Sequence, residues 1–129
     1  MDLTEQSAVD LAAGIRAKSL TAAGIMEAFL DRIDRVNGQV TAIISLRDRS
    51  ALLDEARQAD RSDPHGPLHG LPLAVKDLAA TKGLRTTWGS PLFADFVPEK
   101  DDLIVQRMRS AGAIFVGKTN TPEWGHGSH

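Results

Sequence analysis

Residues 70–90 read GLPLAVKDLAATKGLRTTWGS. The apolar run from Leu71 to Val75 has the character of a buried strand. It runs into Lys76 and Asp77 before apolar residues resume at Leu78. A burial-grade strand ending on an ammonium and a carboxylate either delivers them to water or keeps them for chemistry. On the first reading the lysine head reaches solvent while its stem covers apolar neighbours. On the second the amine is neutral at neutral pH, a state that burial favours and a nearby carboxylate opposes. Strand alternation sends Asp77 to the face opposite Lys76. Asp77 can then hydrogen-bond elsewhere as a support, while Lys76 shares a face with Ala74 and Leu78 toward a pocket, its basicity tuned by desolvation.

Upstream, the strand is preceded by RSDPHGPLHG, residues 61–70, whose prolines and glycines make a loop. Before that, residues 48–60 are rich in Ala, Leu, Arg and Glu and read as a helix. Alternation of Val40, Ala42, Ile44 and Leu46 with Thr41, Ile43 and Ser45 predicts a strand over 40–46. Ile25, Phe29, Ile33 and Val36 recur at helical spacing, so a helix is predicted over 21–37, capped by Thr21 and stopped by Asn37-Gly38. Ser7 and Asp10 have capping-box spacing ahead of a first helix over about 7–18, with Leu11 and Ile15 on one face.

Downstream, a loop over 81–90 leads through Pro91 and Pro98 to Asp101-Asp102, acidic residues suited to the positive end of a helix. That helix is predicted over 102–111, closed by Gly112 and followed by a strand over 113–117. Strands at 40–46, 71–76 and 113–117 alternating with helices predict an α/β fold, a mixed sheet covered by helices.

Composition agrees with a globular chain. Of 129 residues, 42% are apolar and 25% charged, with net charge −2. This balance provides no electrostatic basis for binding nucleic acid or an anionic membrane. The chain has no cysteine, which excludes disulfides and thiolate metal sites. The segment MDLTEQSAVD lacks the basic start and apolar core of a signal peptide, and no apolar stretch reaches membrane-span length, so a cytoplasmic protein is expected.

Two further patterns invite a functional reading. Gly112 to Thr119 satisfies G-x-x-x-x-G-K-[ST] letter for letter. A phosphate-binding loop needs a strand before the first glycine and a helix opening at Lys-Thr, whereas here a helix precedes Gly112 and Ala-Ile-Phe-Val is strand-like. Amides committed to a ladder cannot cradle phosphate. His65 and His69, and His126 and His129, form two spaced pairs without a supporting helix or carboxylate motif. They read as surface or loop histidines, and no metal is expected.

Taken together, the motifs resemble the amidase signature family. Gly70-Leu-Pro-Leu-Ala-Val-Lys-Asp77 is similar to the segment that carries the catalytic lysine of that family. Arg32-Ile33, Thr87-Trp88-Gly89-Ser90, the stretch from Asp102 to Gly112-Ala113, and Gly117-Lys-Thr-Asn-Thr-Pro-Glu-Trp124 follow in the family's order. The resemblance implies an amide hydrolase with a Ser–cis-Ser–Lys triad in which Lys76 is the lysine, acting on a small-molecule amide without a cofactor. It places Asp77, Thr119, Asn120, Gly125 and His126 on the substrate side or in support of it.

The glycine- and serine-rich signature that supplies both triad serines in the family is not found after Asn120, and Ser90 and Ser128 sit in other motifs. The expectation is therefore the N-terminal part of a single amidase domain, inactive alone. Its uncovered strands would favour homo-oligomers or exchange of segments between copies. Two other readings compete. One is a non-catalytic or amidotransferase-like subunit; the other is a nucleotide-binding α/β domain built on Gly117-Lys118-Thr119.

Overall fold

A computed structural model of the chain describes residues 1–127. Ser128 and His129 lie outside the described residues. In chain order the elements are α1 (Ala8–Arg16), α2 (Ala22–Val40), β1 (Ile43–Ile44), α3 (Arg49–Arg61), β2 (Pro72–Lys76), α4 (Leu103–Ser110) and β3 (Ile114–Thr119). The three strands form one mixed sheet in the order β1-β3-β2, with β3 antiparallel to β1 and parallel to β2.

Two apolar clusters pack against this sheet. Leu11 and Ile15 of α1, Ile25, Met26 and Leu30 of α2, and Leu52 and Ala56 of α3 bury against Leu71, Ile114 and Val116. Val105 of α4 closes a smaller cluster with Val75 and Phe115. The first three helices each contribute residues three or four apart, as an apolar stripe facing a core requires.

Local chemistry sets the helix starts. Ser7 accepts from the Asp10 N–H at 3.1 Å and Thr21 from the Gly24 N–H at 3.0 Å. Asp48 accepts from the Ala51 N–H at 3.0 Å, so each satisfies an orphan donor of the first turn.

The second helix does not stop at Asn37-Gly38. It runs on to Val40 and ends on Thr41 in a left-handed conformation (φ 48°) whose N–H donates to Asn37 O. The Asn37 side chain is occupied elsewhere: its amide donates to Ile43 O at 2.9 Å and its oxygen accepts from the Ile43 N–H at 2.8 Å. A residue expected to break the helix instead fastens the next strand to it. That strand is shorter than the 40–46 predicted from alternation. Helix takes its start, and Ser45, at φ 48°, turns the backbone out of the extended region after Ile44.

The loop over 61–70 is tied to the α4–β3 junction. Leu68 donates to Ala111 O at 2.9 Å and Gly70 to Gly112 O at 3.0 Å. Gly112 has φ +98°, and a Cβ there would sit 2.6 Å from His69 Cα and 2.8 Å from His65 O. Only glycine combines that conformation with so close a backbone approach. Gly112→Ala is expected to cost about 2–4 kcal/mol from strain and overpacking together. Gly38→Ala, in a helix with nothing within 4 Å of the added Cβ, is expected to stabilise by about 0.5–1 kcal/mol. Urea unfolding of the two variants beside the parent reads both signs.

Candidate active site at the end of β2

Lys76 is the last residue of β2, and Asp77 prolongs the strand by donating its N–H to Thr119 O at 3.0 Å. Side chains alternate through this stretch: Val75 is buried, Lys76 exposed and Asp77 fully buried. The dry pocket expected around Lys76 is thus absent among the described residues. Val75 and Asp77 are both enclosed, and the residue between them points outward.

Asp77 is an anchor. One carboxylate oxygen accepts from the Thr87 N–H at 3.0 Å, and the other accepts from the Thr87 hydroxyl. Its backbone carbonyl accepts from the Trp88 N–H at 2.9 Å, and the Trp88 indole donates to Leu78 O at 3.0 Å. Residues 87–88 are therefore folded back onto 77–78 by these hydrogen bonds. A buried carboxylate is tolerable here because its lone pairs are met by donors placed for them. Trp88 itself stacks on Phe96 and Trp124, with ring centroids 5.6 and 6.1 Å away, so the loop after Lys76 is joined to the segment after β3.

A second buried ionisable group lies on the same strand pair. Lys118 of β3 is 0% exposed. Its ammonium donates to Ala79 O, to Thr81 Oγ1 at 2.8 Å and to Thr86 Oγ1 at 3.2 Å. The two hydroxyls donate onward, Thr81 to Ala79 O at 3.1 Å and Thr86 to Leu84 O at 3.0 Å. Burial pushes the Lys118 amine down to about 8, against the opposing pull of Asp77, Asp102 and Asp101.

Asp101 and Asp102 complete the surround, though not as expected. The Asp102 carboxylate makes no hydrogen bond to an N–H of α4. It accepts from the Ala80 N–H at 2.8 Å, and Asp101 accepts from the Lys82 N–H at 2.6 Å. Arg109 grips Asp101 through two bonds of 2.8 and 3.0 Å and, ahead of the other causes, lowers its pKa. The acidic pair thus ties the 80–82 turn to α4.

The other expected site residues are placed as follows. Thr119 lies at the end of β3, opposite Lys76 in the register. Asn120 donates through its backbone to Ala42 O at 2.9 Å and through its side chain to Thr41 O at 3.2 Å. Gly125 (φ +74°) and the exposed His126 belong to the turn after Pro122, and Trp124 in that turn donates to Trp88 O at 2.7 Å. Lys76, Asp77 and Thr119 are thus brought together, while His126 lies along the chain beyond Trp124.

His69 is not a surface histidine. It is buried, with Nε2 2.9 Å from Ala59 O and Nδ1 3.2 Å from Nδ1 of His65. A carbonyl only accepts, so Nε2 carries a proton, and the two Nδ1 atoms share one hydrogen bond. Within the stretch Gly112 to Thr119, residues Ile114–Thr119 form β3, with α4 before the turn at Gly112, and the strand amides serve the ladder.

Chemically, the arrangement offers an amine on a short, doubly anchored backbone at the carboxyl end of a strand in parallel pairing, where α/β sheets present their reactive groups. In the sequence Lys118 stands out only within a phosphate-loop pattern and Thr87 only within a family motif, and nothing there marks Thr81 or Thr86 as their partners. The available signal was a lysine embedded after Ile114-Phe-Val-Gly117, with threonines clustered at 81–87.

The family model described as Amidase matches residues 24–129. The chain is 39% identical over 132 residues to an acylamidase of Rhodococcus erythropolis, covering 96% of this chain and 28% of the relative. It is 43% identical over 131 residues to a glutamyl-tRNA(Gln) amidotransferase subunit of Salinispora tropica, covering 98% of this chain and 26% of the relative. It superposes on the X-ray structure of native peptide amidase from Stenotrophomonas maltophilia with a TM-score of 0.82 and 37% identity, over 93% of this chain and 26% of that one. The chain spans about a quarter of the length of these relatives.

Burial of the Lys118 ammonium makes the stability of the fold depend on pH. The unfolded chain holds this proton up to 10.5 whereas the folded chain releases it near 8. Between those values the unfolded state binds more protons, so stability rises with pH. The unfolding free energy of the parent is expected to gain on that of Lys118→Met as pH moves from about 8 toward 10.5. Parallel denaturant titrations at the two ends of that window check it, and a constant difference would mean that the ammonium is not desolvated.

Proposed function

The chain belongs to the amidase family, and we propose from that premise that the whole protein hydrolyses a carboxylic amide to the acid plus ammonia or an amine. Lys76 serves as the lysine of a Ser–cis-Ser–Lys triad whose serines come from outside this chain. The observation that carries the reading is the exposed amine of Lys76 on a backbone pinned by the buried carboxylate of Asp77. Residues 1–129 form the N-terminal part of one amidase domain, and the following segments cover Lys76 and supply the desolvation it lacks here.

In the reaction the neutral Lys76 amine takes a proton from the bridging serine, which takes one from the nucleophilic serine. The nucleophile's oxygen bonds to the amide carbon, and the carbonyl electrons move onto oxygen, where backbone N–H groups hold the charge. As the C–N bond breaks, the proton returns through the bridging serine to the leaving nitrogen. Water then cleaves the acyl-enzyme by the same relay.

A second reading has specific support in the 43% identity to a glutamyl-tRNA(Gln) amidotransferase component. On it the same Lys76 chemistry releases ammonia from an amide donor inside a complex. The two readings separate on whether purified protein hydrolyses simple amides without a partner protein. A cytoplasmic location belongs to the same proposal.

Lys76→Ala in the whole protein is expected to lower kcat for amide hydrolysis by about 10⁴-fold or more, the scale of losing a triad member. A serine-reactive fluorophosphonate should label the parent strongly and the variant weakly. Retention of full activity in the variant would overturn the assignment. The 129-residue chain alone is expected to show no hydrolysis and to self-associate. The motive for association is the edge of β2, unpaired among the described residues, and the exposed Leu92, Leu103 and Ile104. Sedimentation velocity of a concentration series reads this, and a concentration-independent monomer would count against it.

A further inference from the structure

We propose that Lys118 is a positioning residue: its enclosed ammonium fastens the 79–86 turn to the sheet and thereby sets how Lys76 is presented. This rests on the catalytic reading of Lys76. Three features of the structure support it.

The first is geometric. The Lys118 ammonium donates to three oxygens of one turn, on Ala79, Thr81 and Thr86, which lies 32 to 39 residues away along the chain. That turn begins three residues after Lys76 and ends one residue before Thr87, the partner of Asp77. The 77–88 segment is therefore held at two points, by Asp77 at its neck and by Lys118 beneath its tip.

The second is the register. Lys118 stands opposite Val75, and Thr119 opposite Lys76. Lys118 and Lys76 thus occupy neighbouring rungs but opposite faces. A shift of the turn under Lys118 is transmitted to Lys76 through the two residues between them.

The third is inaccessibility. Lys118 and Thr86 are 0% exposed and Thr81 is 1% exposed, so this lysine–hydroxyl group has no route to a substrate. A Lys beside Thr hydroxyls could otherwise be read as a base and its nucleophile. Both hydroxyls also spend their protons on carbonyls, Ala79 O and Leu84 O. The ionisable groups that act on the ammonium are Asp77 at the end of β2 and Asp101 and Asp102 ahead of α4, and each favours its charged form.

Replacing this charge distinguishes positioning from bulk stability. Lys118→Met keeps the stem volume, and the Thr81 and Thr86 protons remain donated. Exchanging a buried charge for an apolar side chain of similar volume is commonly neutral or stabilising. A residue that matters only for folding would lose stability and activity together.

The test uses the whole protein, with Lys118→Met and Thr81→Val/Thr86→Val beside Lys76→Ala as the control. Lys118→Met is expected to keep or raise the unfolding midpoint, to speed hydrogen exchange over 77–88, and to lower kcat by about 10–100-fold with KM changed less than about threefold, the scale of a small misplacement. The threonine double variant is expected to shift kcat the same way by a smaller factor. Unchanged exchange over 77–88, or unchanged kcat in a folded Lys118→Met protein while Lys76→Ala is inactive, would overturn the proposal. So would an unfolding midpoint that falls in step with activity. Full activity in Lys76→Ala would instead fail the catalytic reading, and the exchange measurement would still decide whether Lys118 holds the turn.

Discussion

One extra residue in β3 determines the character of this site. The pairing of β2 with β3 slips between Leu73 and Ala74, so that Phe115 faces Leu73 but Gly117 faces Ala74. Regular pairing would set Gly117 opposite Val75 and Lys118 opposite Lys76, with both ammonium groups on one face. The bulge turns Lys118 inward beside Val75 and leaves Lys76 outward beside Thr119. A single-residue slip exchanges the faces of every later side chain, and here it separates an enclosed lysine from a presented one. Gly117 makes the slip compatible with the segment that follows β1: a Cβ there would lie 3.1 Å from Leu46 Cα and from Ser45 O.

The enclosed side of this division is fully satisfied. No buried side-chain nitrogen or oxygen among the described residues lacks a partner. Nearer the surface, Asp101 and the exposed Asp102 take the N–H groups of Lys82 and Ala80, while in the interior Asp77 accepts from Thr87 and Lys118 donates to the 79–86 turn. An unpaired charge in such a place would be strongly destabilising, whereas a paired and hydrogen-bonded one mainly specifies geometry. The polar interior is therefore best understood as holding the 77–88 segment in one conformation. On the proposed function, this fixed segment is the platform from which Lys76 meets the remainder of the enzyme.

Much of this was legible in the sequence. Apolar periodicity gave away the helices, and the α/β class followed from their alternation with strands. Alternation at Val75-Lys76-Asp77 separated Asp77 from Lys76 without any knowledge of the sheet. The order of elements around Gly112 to Thr119 was enough to argue against a phosphate loop. What was not legible depended on pairing between distant segments. The bulge in β3 is a property of two strands, so the burial of Lys118 could not be read from either alone. Asn37-Gly38 has the composition of a helix stop, but Asn37 spends its side chain on Ile43 and the helix continues. His69 has the local setting of a loop histidine, yet Ala59 and Gly112 bring the loop down onto the core. Asp101-Asp102 precedes a helix as acidic residues often do, and yet both carboxylates bind the facing turn. In each case local propensity was overridden by a specific hydrogen bond from outside the local segment.

The central claim is that Lys76 is held outward so that segments beyond this chain can enclose it beside a hydroxyl. A crystal structure of the whole protein tests this most directly. The account predicts Lys76 Nζ removed from solvent and within about 3 Å of a serine oxygen, a hydrogen-bonding distance, with Lys118 still enclosed by Ala79, Thr81 and Thr86. A Lys76 amine left in bulk solvent, with no serine hydroxyl in reach, would contradict it.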